Sequence, residues 1–311
     1  MKQILLLIDG NSLFHRAYHA LPPLSDRKGE MANAVFGFSN MLLKAINEVS
    51  PRYVACAFDT HAPTFRHVEF EKYKAQRAAP PPDLYPQLPK VKKVLDAFGI
   101  KYFEKEGYEA DDLIATIVSK LQTPNSKLQT IILSGDRDVL QLVNGNIKVQ
   151  MPGWNLKETT LYGAKEVREK YGLETHHMVD YKSLIGDPSD NVPGITGIGP
   201  KTASMLLQKY HTLENLFDHI SETSDSIRPK LEAGKDLALA AKKLVELDRN
   251  VDLLLTIDDL RFDPDWDRVR AEYEELGFKS IVAKIPSGKE PEVMEEPKKP
   301  KDKETNQLEL I

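Results

Sequence analysis

Carboxylates recur in this sequence where they could act together. Three apolar runs each lead into an aspartate: Asp9 after "ILLLI", Asp59 after "YVACAF" and Asp136 after "TIILSG", with Asp138 two residues beyond. The stretch "GYEADDLIATIV", residues 107–118, opens an amphipathic helical pattern with Glu109, Asp111 and Asp112. Further on, "GDPSDN" holds Asp187 and Asp190 three apart, a spacing that puts both on one side of a helical turn. Acids in a first helical turn also complement the helix dipole, which covers one or two of the helix-mouth group but leaves the strand-end aspartates unexplained. Like charges a few ångströms apart raise one another's pKa unless cations neutralise them. Oxygen donors without His or Cys select Mg²⁺, with Mn²⁺ able to substitute. Two such ions about 3.5–4 Å apart suit phosphodiester hydrolysis, one generating the attacking hydroxide and the other stabilising the leaving oxygen.

These acids meet only if the fold brings them together. The strand-length runs "ILLLID", "YVACAFD", "IKYFE", "TIILSGD" and "IKVQM", interleaved with helical patterns, predict an α/β fold: a mostly parallel central sheet with helices on both faces. The carboxyl ends of parallel strands share one edge, where such folds bind ligands. Between Thr60 and Lys93 the chain carries seven Lys/Arg (Arg66, Lys72, Lys74, Arg77, Lys90, Lys92, Lys93) against three acids (Glu69, Glu71, Asp83). That local surplus is hidden by the net charge of -5 and leaves an anionic partner open. The same stretch contains "APPPD" and is too long for a plain connection. From about Ala164 strand signals vanish and short helices follow, closed by an α/β-like segment, "DRVRAEYEELGFKSIVAKI". After Pro286 the composition of Lys, Glu and Pro predicts disorder. No run is long enough to span a bilayer and no signal peptide is evident, so a cytoplasmic location is expected, with no membrane partner. The single cysteine, Cys56, excludes a disulfide framework and a cysteine-rich zinc site, and reads as a buried strand thiol.

"GITGIGPKTA", residues 194–203, departs from a nucleotide-hydrolase phosphate loop because Pro200 separates Gly199 from Lys201 and no strand precedes it. It reads instead as a turn between two helices, in which Gly194, Gly197 and Gly199 permit close backbone approach. Lys201 and Thr202 then open a helix whose free N–H groups suit an anion such as a nucleic-acid phosphate. A plain αα-hairpin turn is the alternative.

Together "LLIDGNSLFHRAYHAL", "FDTHAPTFRHVEFEKYKAQR", "GYEADD", "SGDRD", "GDPSDNVPGITGIGPKTA" and "LGFKSI" resemble, in order, the 5′ nuclease domain of bacterial DNA polymerase I, within the flap endonuclease family. The resemblance implies a metal-dependent 5′-to-3′ exonuclease and flap endonuclease of primer removal and DNA repair. It acts on DNA with 5′ flaps, nicks or RNA primers and is expected to be a monomer. Asp9, Asp59, Glu109, Asp111, Asp112, Asp136, Asp138, Asp187 and Asp190 would be metal ligands or the carboxylates behind them. Tyr73, Lys74 and Arg77 of "YKAQR" would sit at the base of a helical arch, with Tyr73 stacking on an unpaired nucleotide and Arg66 adding a phosphate contact. The implied organisation is an α/β nuclease core over 1–163 with the arch at about 60–98, a helix-hairpin-helix subdomain and closing segment over 164–285, and a tail over 286–311. The polymerase resemblance stops near Lys284, which suggests a free-standing nuclease. In the tail, "QLELI" resembles the motif by which bacterial replication proteins bind the sliding clamp, through Gln307, Leu308, Leu310 and Ile311; a coincidental apolar terminus is the alternative. A catalytically silent DNA-structure-binding or clamp-scaffolding protein is the competing function. It would gain nothing from acids that repel phosphate.

Overall fold

The computed structural model describes residues 3–122, 127–153, 155, 156 and 158–286. The first part runs through β1 (Gln3–Asp9), α1 (Gly10–Ala20), α2 (Asn33–Val49), β2 (Tyr53–Phe58), α3 (Phe65–Glu69), α4 (Leu88–Ala97), β3 (Lys101–Glu104) and α5 (Ala110–Leu121). β4 (Leu128–Leu133), β5 (Ile147–Pro152) and β6 (Thr159–Tyr162) complete the sheet. Helices follow: α6 (Ala164–Tyr171), α7 (Met178–Ile185), α8 (Pro200–Tyr210), α9 (Leu213–Asp218), α10 (Arg228–Val245), α11 (Trp266–Leu276) and α12 (Lys279–Val282).

The six strands lie in the order β3-β2-β1-β4-β5-β6, all parallel except β6, which is antiparallel to β5. β1 is central because its apolar run has residues for two cores. Alternate side chains of a strand point to opposite faces. Leu5 and Leu7, with Ala55 and Ala57, face the core built with α5 and the C-terminal helices, whereas Leu6 and Ile8, with Val54, Cys56 and Phe58, face α1, α2, α4, α11 and α12. Cys56 is buried as expected, and burial pushes its thiol well up. From β1 the chain winds outward to β2 and β3, then returns to the other side of β1 as β4 and β5. The strand order therefore reverses between β1 and β4, where open α/β sheets form a crevice at their carboxyl ends.

Three expectations change. The closing segment is two helices without a strand, because Gly277 adopts φ +79 as the C-cap of α11 and "KSIV" then packs as α12 with Ile281 in the core. The second half of the expected arch belongs to the core, since α4 buries Val91, Val94 and Leu95 against the sheet. β6, whose "TTLY" is half-buried to exposed, adds an edge strand with no apolar signal. No described helix is long and apolar enough to cross a membrane.

Candidate active site

Asp9 ends β1 and caps α1. One carboxylate oxygen accepts the Ser12 N–H at 2.9 Å and the other the Ser134 hydroxyl at 2.7 Å, which bridges the two strands that flank the reversal of strand order. Only glycine fits next, since a Cβ on Gly10 would lie 2.3 Å from the Phe58 ring. Asp59, just beyond β2, accepts the Ala110 N–H at 2.7 Å, and its own N–H donates to Asn11 Oδ1 at 3.1 Å. Asp136 follows β4 and accepts the Asp138 N–H at 2.9 Å. Asp111, in the first turn of α5, has a buried Oδ1 with no hydrogen-bond partner.

Burial raises the pKa of each of these acids. Asp9 is pushed up to about 7, chiefly by burial, with Asp59 and Asp136 adding to the rise and Ser134 and Ser12 opposing it. Burial raises Asp59, with Glu109 adding to it, and raises Asp136 despite Lys182. Asp111 is held well above its ordinary value by burial and then by Asp112 and Glu109. With Lys74, Arg77, Tyr85 and Glu109 they line a cleft of about 780 Å³. Buried and half-buried carboxylates short of positive charge, all oxygen donors and one of them with an orphaned atom, fit hard divalent cations. Among the described residues no three acids converge as a finished cage.

A second set of acids is already paired. Lys74 Nζ lies 2.6 Å from Glu109 Oε1 and 3.7 Å from Asp190 Oδ2, and Arg77 lies 2.5 Å from Asp190 Oδ1. Lys182 contacts Asp138 and lies 2.6 Å from Asp187, which also accepts from the Ser189 hydroxyl at 2.5 Å. Burial pushes Asp187 up, but Lys182 and Ser189 together bring it below the ordinary range. Lys74 reaches this position with φ 55, in the left-handed region that non-glycine residues rarely occupy, and its N–H donates to Asp190 O at 2.9 Å. Lys182 is absent from the sequence-based site; "YKSLIGDPSD" places it near Asp187, but only the fold brings Asp138 to it.

Arg66 departs from its expected role, and Asp112 takes the place of a carboxylate behind the site rather than of a metal ligand. Arg66 is 1% exposed and pairs bidentately with Asp112, at 2.7 and 2.8 Å, while its other donors reach Leu244 O and Glu246 O. It has no surface to offer a phosphate. Asp112 also accepts the N–H groups of Glu109 and Asp248, so its lone pairs are committed to protein rather than to a metal. Tyr73 is 3% exposed, its hydroxyl 3.0 Å from Glu109 Oε2 and 3.1 Å from Asp190 Oδ2. It forms the floor beneath Lys74 rather than an open stacking face.

The glycine turn lies between α7 and α8. A Cβ on Gly194 would sit 2.2 Å from the Ile185 carbonyl carbon, and Gly197 adopts φ +81. Gly199 is the N-cap of α8, with Pro200 at N1 and open space where a Cβ would project. No side chain caps this helix start, and Lys201 is exposed beside it, with Thr202 half-buried. Gln307, Leu308, Leu310 and Ile311 lie outside the described residues.

A reversed-order parallel sheet with acids at its carboxyl edge and a helical glycine-turn subdomain beside it is an arrangement suited to metal-dependent phosphodiester hydrolysis. The chain belongs to the 5′-3′ exonuclease family: the profile "5′-3′ exonuclease, N-terminal resolvase-like domain" matches residues 4–172, and "5′-3′ exonuclease, C-terminal SAM fold" matches residues 173–268. DNA polymerase I of Caldicellulosiruptor bescii is 41% identical over 286 residues, covering 90% of this chain and 33% of that protein. DNA polymerase I of Bacillus subtilis is 37% identical over 283 residues, covering 90% of this chain and 32% of that protein. The chain thus spans about a third of the length of these curated relatives. The fold is shared with T5 5′-exonuclease carrying bound zinc (TM-score 0.62, 20% identity, 90% of this chain and 100% of the other). It is shared too with the catalytic core of Rad2 in complex with DNA substrate (TM-score 0.58, 17% identity, 91% and 92%).

Proposed function

We propose that this protein is a Mg²⁺-dependent, structure-specific 5′ nuclease that removes 5′ flaps and RNA primers and degrades DNA from 5′ ends. The carrying observation is the set of charge-deficient carboxylates, buried Asp9 with half-buried Asp59, Asp111 and Asp136, in one cleft with Lys74 and Arg77. These four acids would hold the ions, with Glu109 beside them paired to Lys74, and Mn²⁺ would substitute for Mg²⁺. Bound there, the metal supplies an activated water and charge stabilisation at the leaving oxygen. Lys74 and Arg77 then offset charge developing on the scissile phosphate. The open α8 N-terminus at Gly199, with Lys201 beside it, holds a phosphate of the duplex without reading its sequence. Asp138, Asp187 and Asp190 serve chiefly to hold Lys182, Lys74 and Arg77 at the rim.

A labelled flap duplex incubated with and without Mg²⁺ tests this. Cutting only with the metal is expected; binding without cutting under both conditions would leave the silent binder in its place. The terminal "QLELI" supports a second proposal, a tether to a sliding clamp that raises effective concentration at the substrate. Equal clamp retention by the whole chain and by one truncated after Asn306 would end that idea.

A further inference from the structure

α10 has 18 residues, about 27 Å of helix at 1.5 Å per residue, and it touches both halves of the functional surface. Near its start, Lys230 Nζ donates to Gly197 O at 3.3 Å, and a Cβ on Gly234 would meet Ile195 Cγ2 at 2.7 Å. The glycine turn therefore rests directly on this helix. Its last turn ends inside the α/β core. A helix C-terminus leaves its final carbonyls without intrahelical partners, and here two core side chains take the acceptors at this end. Arg66 Nε donates to Leu244 O at 2.7 Å, Gln141 Nε2 to Val245 O at 3.0 Å, and Arg66 Nη2 to Glu246 O at 3.0 Å. Gln141 Oε1 also accepts the Leu247 N–H at 3.1 Å. The same Arg66 guanidinium forks onto Asp112, whose Oδ2 accepts the Glu109 N–H at 3.1 Å. One buried cation thus ties the end of α10 to the first turn of α5, where Glu109 and Asp111 begin.

We propose that Arg66 is a positioning residue that, together with Gln141, locks α10 as a strut of fixed length and angle between the glycine turn and the carboxylate cleft. A duplex gripped at the turn then presents one particular phosphate to Glu109 and Asp111. This rests on the nuclease function proposed above. The planar guanidinium suits the role because it serves Leu244 O, Glu246 O and both Asp112 oxygens from one rigid group, which a lysine cannot do.

The test is the product ladder, at nucleotide resolution, from a labelled flap duplex cut by wild type, Arg66→Lys and Gln141→Leu. Wild type is expected to cut one dominant bond. Both variants should spread the cut over neighbouring bonds, with the dominant product's share falling at least about twofold, since small misplacements strongly alter which bond is attacked. Lost stability alone would reduce the amount of product without moving the cut. Should Arg66→Lys fail to fold, Gln141→Leu carries the test, because it touches no carboxylate. A second readout needs no activity: spin labels at Met205→Cys on α8 and Leu161→Cys on β6, with buried Cys56 left unlabelled, should give a broader distance distribution in both variants. An unchanged ladder would overturn the link to cut position, and an unchanged distance width would overturn the strut. If wild type cuts no flap, the nuclease function falls instead, and the distance measurement still judges the strut.

Discussion

Two groups of acids share one rim of the sheet and are treated in opposite ways. Asp9 is buried and Asp59, Asp111 and Asp136 are half-buried at strand ends and a helix mouth, their pKa values raised because desolvation outweighs the positive charge within reach. Glu109, Asp138, Asp187 and Asp190 meet lysine or arginine nitrogens directly, and Asp187 falls below its ordinary pKa. The residue types are the same, so the difference lies in what the fold puts beside them. A carboxylate already satisfied by a lysine gains little from a cation, whereas one that burial would otherwise protonate gains much. The charge-deficient group is where a divalent ion belongs, and the paired group keeps cationic side chains ready at its edge.

The largest effects come from removing one member of each group. Asp136→Ala from the first and Lys74→Ala from the second should each lower flap cleavage by about 10²–10³-fold, the scale of losing a preorganised electrostatic contact. Flap binding should survive at least the Lys74 change, as an electrophoretic shift in chelator would report. Robust cutting by either variant would contradict the division of roles. Next in size is Asp9→Asn in metal-free protein. The native carboxyl keeps its proton up to about pH 7 while the unfolded one loses it near 3.8, so this group's contribution to stability falls as pH rises between those values. Asparagine removes that penalty. The variant should match wild type near pH 4 and exceed it above pH 7 by up to about 4 kcal/mol, measured by denaturant unfolding. A variant less stable than wild type at pH 8 would show that Asp9 is not under strain.

Where the acids gather is legible in the sequence, how they divide is not, and both facts have physical causes. β1, β2 and β4 declare themselves because strands buried on both faces need continuous apolar runs, and an aspartate ending such a run stands out. Asp9, Asp59 and Asp136 therefore stand out as candidates by position alone. Arg66 misleads because a lone arginine in a basic stretch looks solvent-facing, while a carbonyl that holds it lies 178 residues away. Which of Asp111 and Asp112 faces the cleft and which stands behind it is undecided by sequence, since the two are indistinguishable until Arg66 claims Asp112. Lys182 went unnoticed because its value depends on Asp138, contributed by a different element. Local pattern identifies where acids gather, whereas which of them are neutralised is a tertiary property.

The smallest effect tests the contrast from the other side. Lys182→Met deprives Asp138 and Asp187 of their cation, which would convert the paired group into a second charge-deficient one. Lys182 is 16% exposed, so the loss should be about 1–3 kcal/mol at neutral pH, below that for a fully buried pair. The sign follows from Asp187, whose folded pKa lies below its unfolded value. Its contribution is fully present above the unfolded pKa and is lost as pH falls through the folded one. Wild type and Lys182→Met should therefore differ by the full amount at pH 5 and converge only in strong acid. Asp9→Asn behaves in the reverse sense, gaining on wild type as pH rises from 4 to 7. Unfolding both variants at pH 3, 5 and 8 puts the two groups on one scale. Deviations of the same sign at pH 8 would mean that the rim has a single electrostatic character, and the assignment of metal-holding and cation-holding acids would have to be redrawn.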